Sequence, residues 1–287
     1  MIVISALLIS ICVLTLTMQN IFTKQYNLKC PKGEYTYSAL IVLFAMLFFV
    51  FTTKNISFSV AIVPYSIAFS TVYTLATFTA ILALKFGSLA ITSLVMSYSL
   101  IIPTIYGLIF NNEEPTVIKG IGIAFLLVSL FLIRAKSEAA DKKKISFKWL
   151  INVIIAFFTN GLCSVFQDAQ EKKFDGAQNG NFMILSLLLG FVALLILAIV
   201  FERKVIFESV KKGVVLAAAG GICNGATNLL VMIIIGMVAT SVFFPVLSAC
   251  QIILTFFISL VFFKEKFITR QIVGLGCGII ALVLLNL

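Results

Sequence analysis

Long apolar runs separated by short polar joints dominate this chain. Ten of them are apolar over roughly the 20 residues that a helix needs to cross a hydrocarbon core of about 30 Å. Their approximate bounds are 2–23, 36–53, 60–84, 88–110, 117–134, 149–170, 182–201, 214–236, 239–262 and 271–287. None alternates polar and apolar residues with the period of two that marks a membrane β-strand, so each predicts a helix. The expected fold is all-α and integral to a membrane, with ten transmembrane helices. The first run lacks a basic start and a small-residue cleavage site, so it reads as a spanning helix rather than a removable leader.

The polar residues are the informative minority. "MQNIFTKQY" (18–26) closes the first run and "FQDAQEKKF" (166–174) closes the sixth, with a similar order of amide, amide or acid, and lysine. Aligning the clusters puts Gln19 on Gln167, Asn20 on Asp168 and Lys24 on Lys172. A similar offset puts Leu108 on Leu260, Phe110 on Phe262, Glu113 on Glu265 and Gly122 on Gly274. The chain therefore divides into residues 1–134 and 149–287, each with five helices, joined by a basic connector over 135–148. Because five is odd, the second copy enters the membrane from the opposite side, giving two inverted five-helix repeats.

Composition agrees with the pattern. With 61% hydrophobic and 11% charged residues, and a mean hydropathy of +1.16, the chain has too little polar surface to coat a soluble globule. A net charge of +10 would suggest nucleic acid in a soluble protein. Here placement matters more, because Lys and Arg gather in cytoplasmic joints for topological reasons. Of 21 such residues, 17 lie after the first, third, fifth, seventh and ninth runs, leaving Lys54, Lys119, Lys172 and Lys173 on the other side. This predicts a multi-pass plasma-membrane protein with both termini extracytoplasmic and no nucleic-acid partner. The basic stretch 134–148 is then cytoplasmic and able to touch anionic membrane lipids. The inversion shows in the charges too: "NNEEP" (111–115) in the first half is matched by "FKEKF" (263–267) in the second, acid exchanged for base.

Two five-helix halves, a polar cluster ending in Lys on helices 1 and 6, and the paired stretches "EEPTVIKGIG" and "EKFITRQIVG" resemble the drug/metabolite transporter superfamily, within it the ten-helix EamA-like branch. The resemblance covers essentially the whole chain. It implies a secondary transporter of small organic solutes, not driven by ATP, working by alternating access. Export of a metabolite, amino acid or drug-like compound is the role it favours.

In an inverted repeat, solute is expected between the halves near the midplane. Candidate contacts are polar side chains deep in the apolar runs, where burial without a partner is costly. Asn160, Ser164 and Gln167 share one face of the sixth helix, with Glu171 continuing the stripe. Asn224, Thr227 and Asn228 cluster on the eighth. Gln19 and Asn20 on the first, Tyr73 and Thr77 on the third, Ser99 on the fourth and Gln251 on the ninth complete the substrate-binding set, which leaves out Thr227 and Glu171. Ser and Thr in membrane helices often bond their own backbone, and Asn and Gln pair across helices for stability, so packing competes with solute contact at each position. Lys24 and Lys172 sit at helix ends, where snorkelling competes with a gating role. Glu113 and Glu265 suit the starts of the fifth and tenth helices.

The chain has no His, and none of its 11 acids falls at the centre of a run. If protons couple to transport, Asp168 or Glu171 is the expected carrier. Six cysteines lie without ligand spacing, so no metal, cofactor or disulfide framework is expected, and no P-loop is present. GxxxG spacing at Gly274 and Gly278 predicts close packing of the tenth helix, inside the monomer or in a homodimer, and Gly221 and Gly225 repeat it on the eighth. Pro103 and Pro245 are candidate bends. A lipid or lipid-linked headgroup flippase on the same scaffold is the alternative. A membrane-embedded enzyme is the more distant one, because acid, base or metal ligands do not converge at depth.

Overall fold

The computed structural model describes residues 2–30, 32–110, 117–133, 146–264 and 269–285. Backbone N–H and C=O groups in hydrocarbon must be satisfied within their own segment, and the described residues are helical almost throughout, with no strand among them. In chain order they form α1 (Ile2–Lys29), α2 (Glu34–Thr52), α3 (Val63–Phe86, preceded by a 3-10 turn at Val60–Ile62), α4 (Leu89–Ser97), a 3-10 turn at Tyr98–Leu100, and α5 (Ile101–Phe110). Then follow α6 (Val117–Ile133), α7 (Phe147–Phe174), α8 (Asn179–Phe201), α9 (Ile206–Ile235), α10 (Thr240–Phe262) and α11 (Thr269–Leu285). Over the described residues, each of the ten apolar runs is helical, the fourth in two pieces.

Seven of these helices are long and apolar enough to cross a membrane: α1, α2, α3 with its leading turn, α7, α8, α9 and α10. Shorter apolar helices occupy Ile91–Gly107 and Ile272–Ala281. Phe51, Val215 and Phe262 are each more than three-quarters exposed, which is the surface that lipid covers. The chain is a multi-helix membrane protein. Glu113, Glu265 and residues 135–145 of the connector lie outside the described residues.

α1 and α9 extend furthest past one end of their apolar runs. α1 continues to Lys29 because tertiary contacts absorb its polar end: the Tyr26 ring stacks on Tyr37 at 3.8 Å, and Asn27 Nδ2 donates to Ile81 O at 3.0 Å. α9 begins at Ile206, eight residues before the apolar run, and the Glu208–Lys212 pair lies on this added turn. Hydropathy registers only the part of a helix that lipid surrounds.

The fourth run is not one helix. It breaks at Tyr98–Leu100, because Pro103 has no N–H to offer the Ser99 carbonyl and its ring crowds that oxygen. α7 crosses at the break with Gly161, where a Cβ would lie 2.7 Å from Ser99 O.

Packing joins the two parts of the sequence rather than keeping them apart. α2 lies against α8 and α9, α3 against α7 and α8, α1 against α9, and α6 against α11. α2 and α8 are antiparallel. Gly33, at φ +105°, leaves α2 without a side-chain cap of its own, and Glu202 at the end of α8 supplies one. Its carboxylate accepts from Tyr35 N (2.9 Å), Thr36 N (2.8 Å) and Thr36 Oγ1 (2.7 Å). At the opposite end of the pair, Thr53 fits against Gly180, where a Cβ would stand 2.2 Å from its hydroxyl. Both GxxxG stretches are filled from within the chain. Gly221 and Gly225 seat Phe44 and Phe48 of α2, and Gly278 seats Tyr98 while the Gly274 carbonyl accepts from Ser129. A second copy of the chain would need another face than that of Gly274 and Gly278.

Candidate functional site: a polar cavity at the centre of the bundle

Ten of the eleven residues proposed for solute contact line one cavity of about 120 Å³. They are Gln19 and Asn20 from α1, Tyr73 and Thr77 from α3, Asn160, Ser164 and Gln167 from α7, Asn224 and Asn228 from α9, and Gln251 from α10. Ser99 stands behind the wall: Asn160 Nδ2 donates to its hydroxyl at 2.7 Å, and that hydroxyl donates to Met96 O. The helix break thus holds Asn160 in place. Apolar Met96, Leu100, Phe244 and Leu247 close the wall between the amides, and Thr23 and Thr227 add hydroxyls. The apolar four were not singled out from sequence, since nothing separates them from residues that face lipid. Ser70 and Thr74, on the same helix as Tyr73, face α8 instead and flank Gly190.

One hydrogen-bond network spans four helices across this space. Tyr73 Oη donates to Asn224 Oδ1, Asn224 Nδ2 to Gln19 Oε1 (3.2 Å), Asn228 Nδ2 to Asn224 Oδ1 (3.1 Å), and Gln167 Nε2 to Asn228 Oδ1 (2.8 Å). A second set ties α4 to its neighbours: Asn20 Nδ2 donates to Ser93 Oγ (3.3 Å), Ser97 Oγ to Gln251 Oε1 (2.9 Å) and Ser248 Oγ to Ser97 O (2.8 Å). Each amide at the rim of these networks spends one group on the protein. The Gln19 and Gln251 NH₂ groups, and the Asn20, Asn160 and Gln167 oxygens, have no hydrogen-bond partner among the described residues. An unmet amide group in an apolar interior costs about 1–3 kcal/mol, so several facing one hollow favour a polar occupant.

No charged side chain lies on the cavity wall. Charges stand instead at its two ends, and the ends differ. Lys24 Nζ donates to Leu84 O (2.9 Å) in the last turn of α3 and to Gly87 O just past it, where the helix dipole favours a cation. The aligned Lys172 does not reach α9. It pairs with Asp168 Oδ2 at 2.8 Å, one turn back on its own helix. The end of α9 is met by an acid: Glu171 packs so close to Gly236 that a Cβ there would lie 2.8 Å from its carboxylate. Asp168 and Glu171, the candidate proton carriers, therefore stand outside the cavity proper. Asn20, which the alignment sets against Asp168, is neutral and bonded to Ser93.

No family model matches the chain, and no curated protein matches it in sequence. Its fold does recur: a protein of known crystal structure superposes with a TM-score of 0.65 over 98% of this chain and 94% of that one, at 12% identity. A likeness at that identity speaks for the fold alone.

Proposed function

We propose that this chain is a secondary transporter that carries small organic solutes across the plasma membrane by alternating access between two inverted five-helix halves, related to the EamA-like drug/metabolite transporters. The observation that carries this reading is the cavity: neutral amides and a phenol from both halves converge on a shared hollow, with partly unused donors and acceptors facing it. The helix packing supports the inversion. A two-fold axis in the membrane plane would exchange the first five spans with the last five, so each contact between halves would have a mate. The α1–α9 pair is matched by α3–α7, α2–α9 by α3–α8, and α1–α10 by the packing of α4 and α5 on α7. The α2–α8, α6–α11 and α5–α10 pairs are their own mates.

An uncharged, amide-rich wall suits neutral or zwitterionic cargo better than polyanions, whose charge a Lys or Arg at depth would have to balance. It also offers no acid, base or nucleophile pair positioned for bond cleavage. With the odd-numbered joints cytoplasmic, Lys24 closes the cytoplasmic mouth, and the Asp168–Lys172 end is extracytoplasmic. The test is efflux or uptake by vesicles reconstituted with the purified protein and challenged with a pooled metabolite library, read by mass spectrometry. Carrier-dependent movement of one or a few small polar solutes is expected. Movement of lipid headgroups between leaflets with no solute transport would replace this reading with a flippase.

A further inference from the structure

A second, larger hollow of about 490 Å³ lies where the start of α2 meets the end of α8. Lys32, Arg203 and Lys204 line it, all three exposed, and among the described residues no carboxylate pairs with any of them. The two acids in its wall are already committed. Glu34 pairs with Lys85 and accepts from Gly33 N, while Glu202 caps the first turn of α2. Tyr35 N and Thr36 N in the first turn of α2 are thereby capped, and the uncommitted charge of the groove is cationic. Its other wall is apolar: Val200 and Phe201, on the last turn of α8, are each more than three-fifths exposed, and Tyr35 stacks beside Phe201 at 5.6 Å.

From this arrangement we infer that the groove binds the headgroup of an anionic phospholipid. Lys32 lies just before the apolar span Glu34–Thr52, and Arg203 and Lys204 lie just past the span Asn179–Phe201, where a helix that crosses a bilayer emerges at the headgroups, with Val200 and Phe201 on its last apolar turn. A phospholipid presents the same two chemistries in the same order, phosphate outside and acyl chain inside. A soluble phosphate would satisfy the cations and leave Val200 and Phe201 unused. The aromatic at the boundary is in the usual place for an interfacial ring. Which leaflet supplies the lipid follows from the orientation proposed above; the binding itself does not depend on that reading or on transport.

The test uses the purified full-length protein in detergent, mixed with equal amounts of phosphatidylglycerol and phosphatidylcholine and read by native mass spectrometry. Retention of phosphatidylglycerol over phosphatidylcholine is expected. Each cation near an anionic phosphate is worth about fivefold in affinity, so the Lys32→Gln, Arg203→Gln, Lys204→Gln triple variant should weaken phosphatidylglycerol binding about a hundredfold. Arg203→Gln alone, a single surface change, should weaken it about fivefold and carries the test should the triple variant misfold. Lys211→Gln, an exposed cation outside the groove, should leave binding unchanged. Glycerol 3-phosphate at the same concentration should not displace the lipid. Any of three results would overturn the inference: no preference in the unaltered protein, full retention by the Arg203 variant, or equal losses in the Arg203 and Lys211 variants. Displacement by glycerol phosphate would assign the groove to a soluble phosphate and overturn it equally.

Discussion

The unequal ends of the cavity make Asp168→Asn the most informative perturbation. Lys24 is latched on the carbonyl end of α3, and its aligned partner Lys172 is held back from α9 by Asp168. Asp168→Asn gives the second half the residue that the first half has in Asn20, and it frees Lys172. The i,i+4 pair joins a lysine that is 46% exposed to a carboxylate only 2% exposed, and losing it costs about 0.5–1 kcal/mol. A cation that reaches the end of a helix gains about 0.3–1 kcal/mol. Together these move the balance between the two closed ends by about 1 kcal/mol, or roughly fivefold in population. The assay is thiol labelling in a cysteine-free background. One probe replaces Thr23, beside Lys24, and the other replaces Val231, one turn before the end of α9; both line the cavity. In the proposed orientation, Asp168→Asn should raise labelling at residue 23 from the cytoplasmic side and lower it at residue 231 from the outside. Adding Lys172→Met should cancel the change. Labelling that moves the same way at both probes, or that is indifferent to Lys172, would refute the latch and with it the exchange of roles between the halves.

Further outcomes follow from the same geometry. Asn160→Ala and Asn228→Ala should each cut vesicle transport about tenfold while expression stays intact, since each removes an amide facing the cavity; normal rates in both would dismiss the wall as a solute site. Glu202→Ala should lower the melting point in detergent, by about 2 kcal/mol of stability, because three donors in the first turn of α2 lose their acceptor. Gly278→Leu should destabilise the protein by about 1–3 kcal/mol, since the added side chain runs into Tyr98 and Ser129. A cysteine at residue 140 should label only from the cytoplasmic face, and one near the first residue only from outside.

How far the sequence could be read depended on what kind of force fixed each feature. Asn160, Gln167, Asn224 and Asn228 were visible because amides are rare at depth in apolar runs and must find polar company. Ser99 looked the same by that criterion, yet it serves as the rest for Asn160, because a hydroxyl on a broken turn is well placed to hold another side chain. Leu100 and Phe244 gave no signal, since a cavity wall and a lipid-facing surface select the same residue types.

By itself, then, the sequence determined the medium and the secondary structure: helices, because apolar segments of that length leave the backbone no other way to meet its hydrogen bonds in a membrane. It also placed most of the polar residues that belong together. Only the tertiary structure decided which face of each helix turns inward, how Pro103 and Gly161 fit Asn160 to the break before α5, and why two aligned lysines behave differently. Those outcomes depend on distances between segments far apart in the chain, and whether Lys172 finds Asp168 or a carbonyl is settled by geometry that a periodic pattern does not carry.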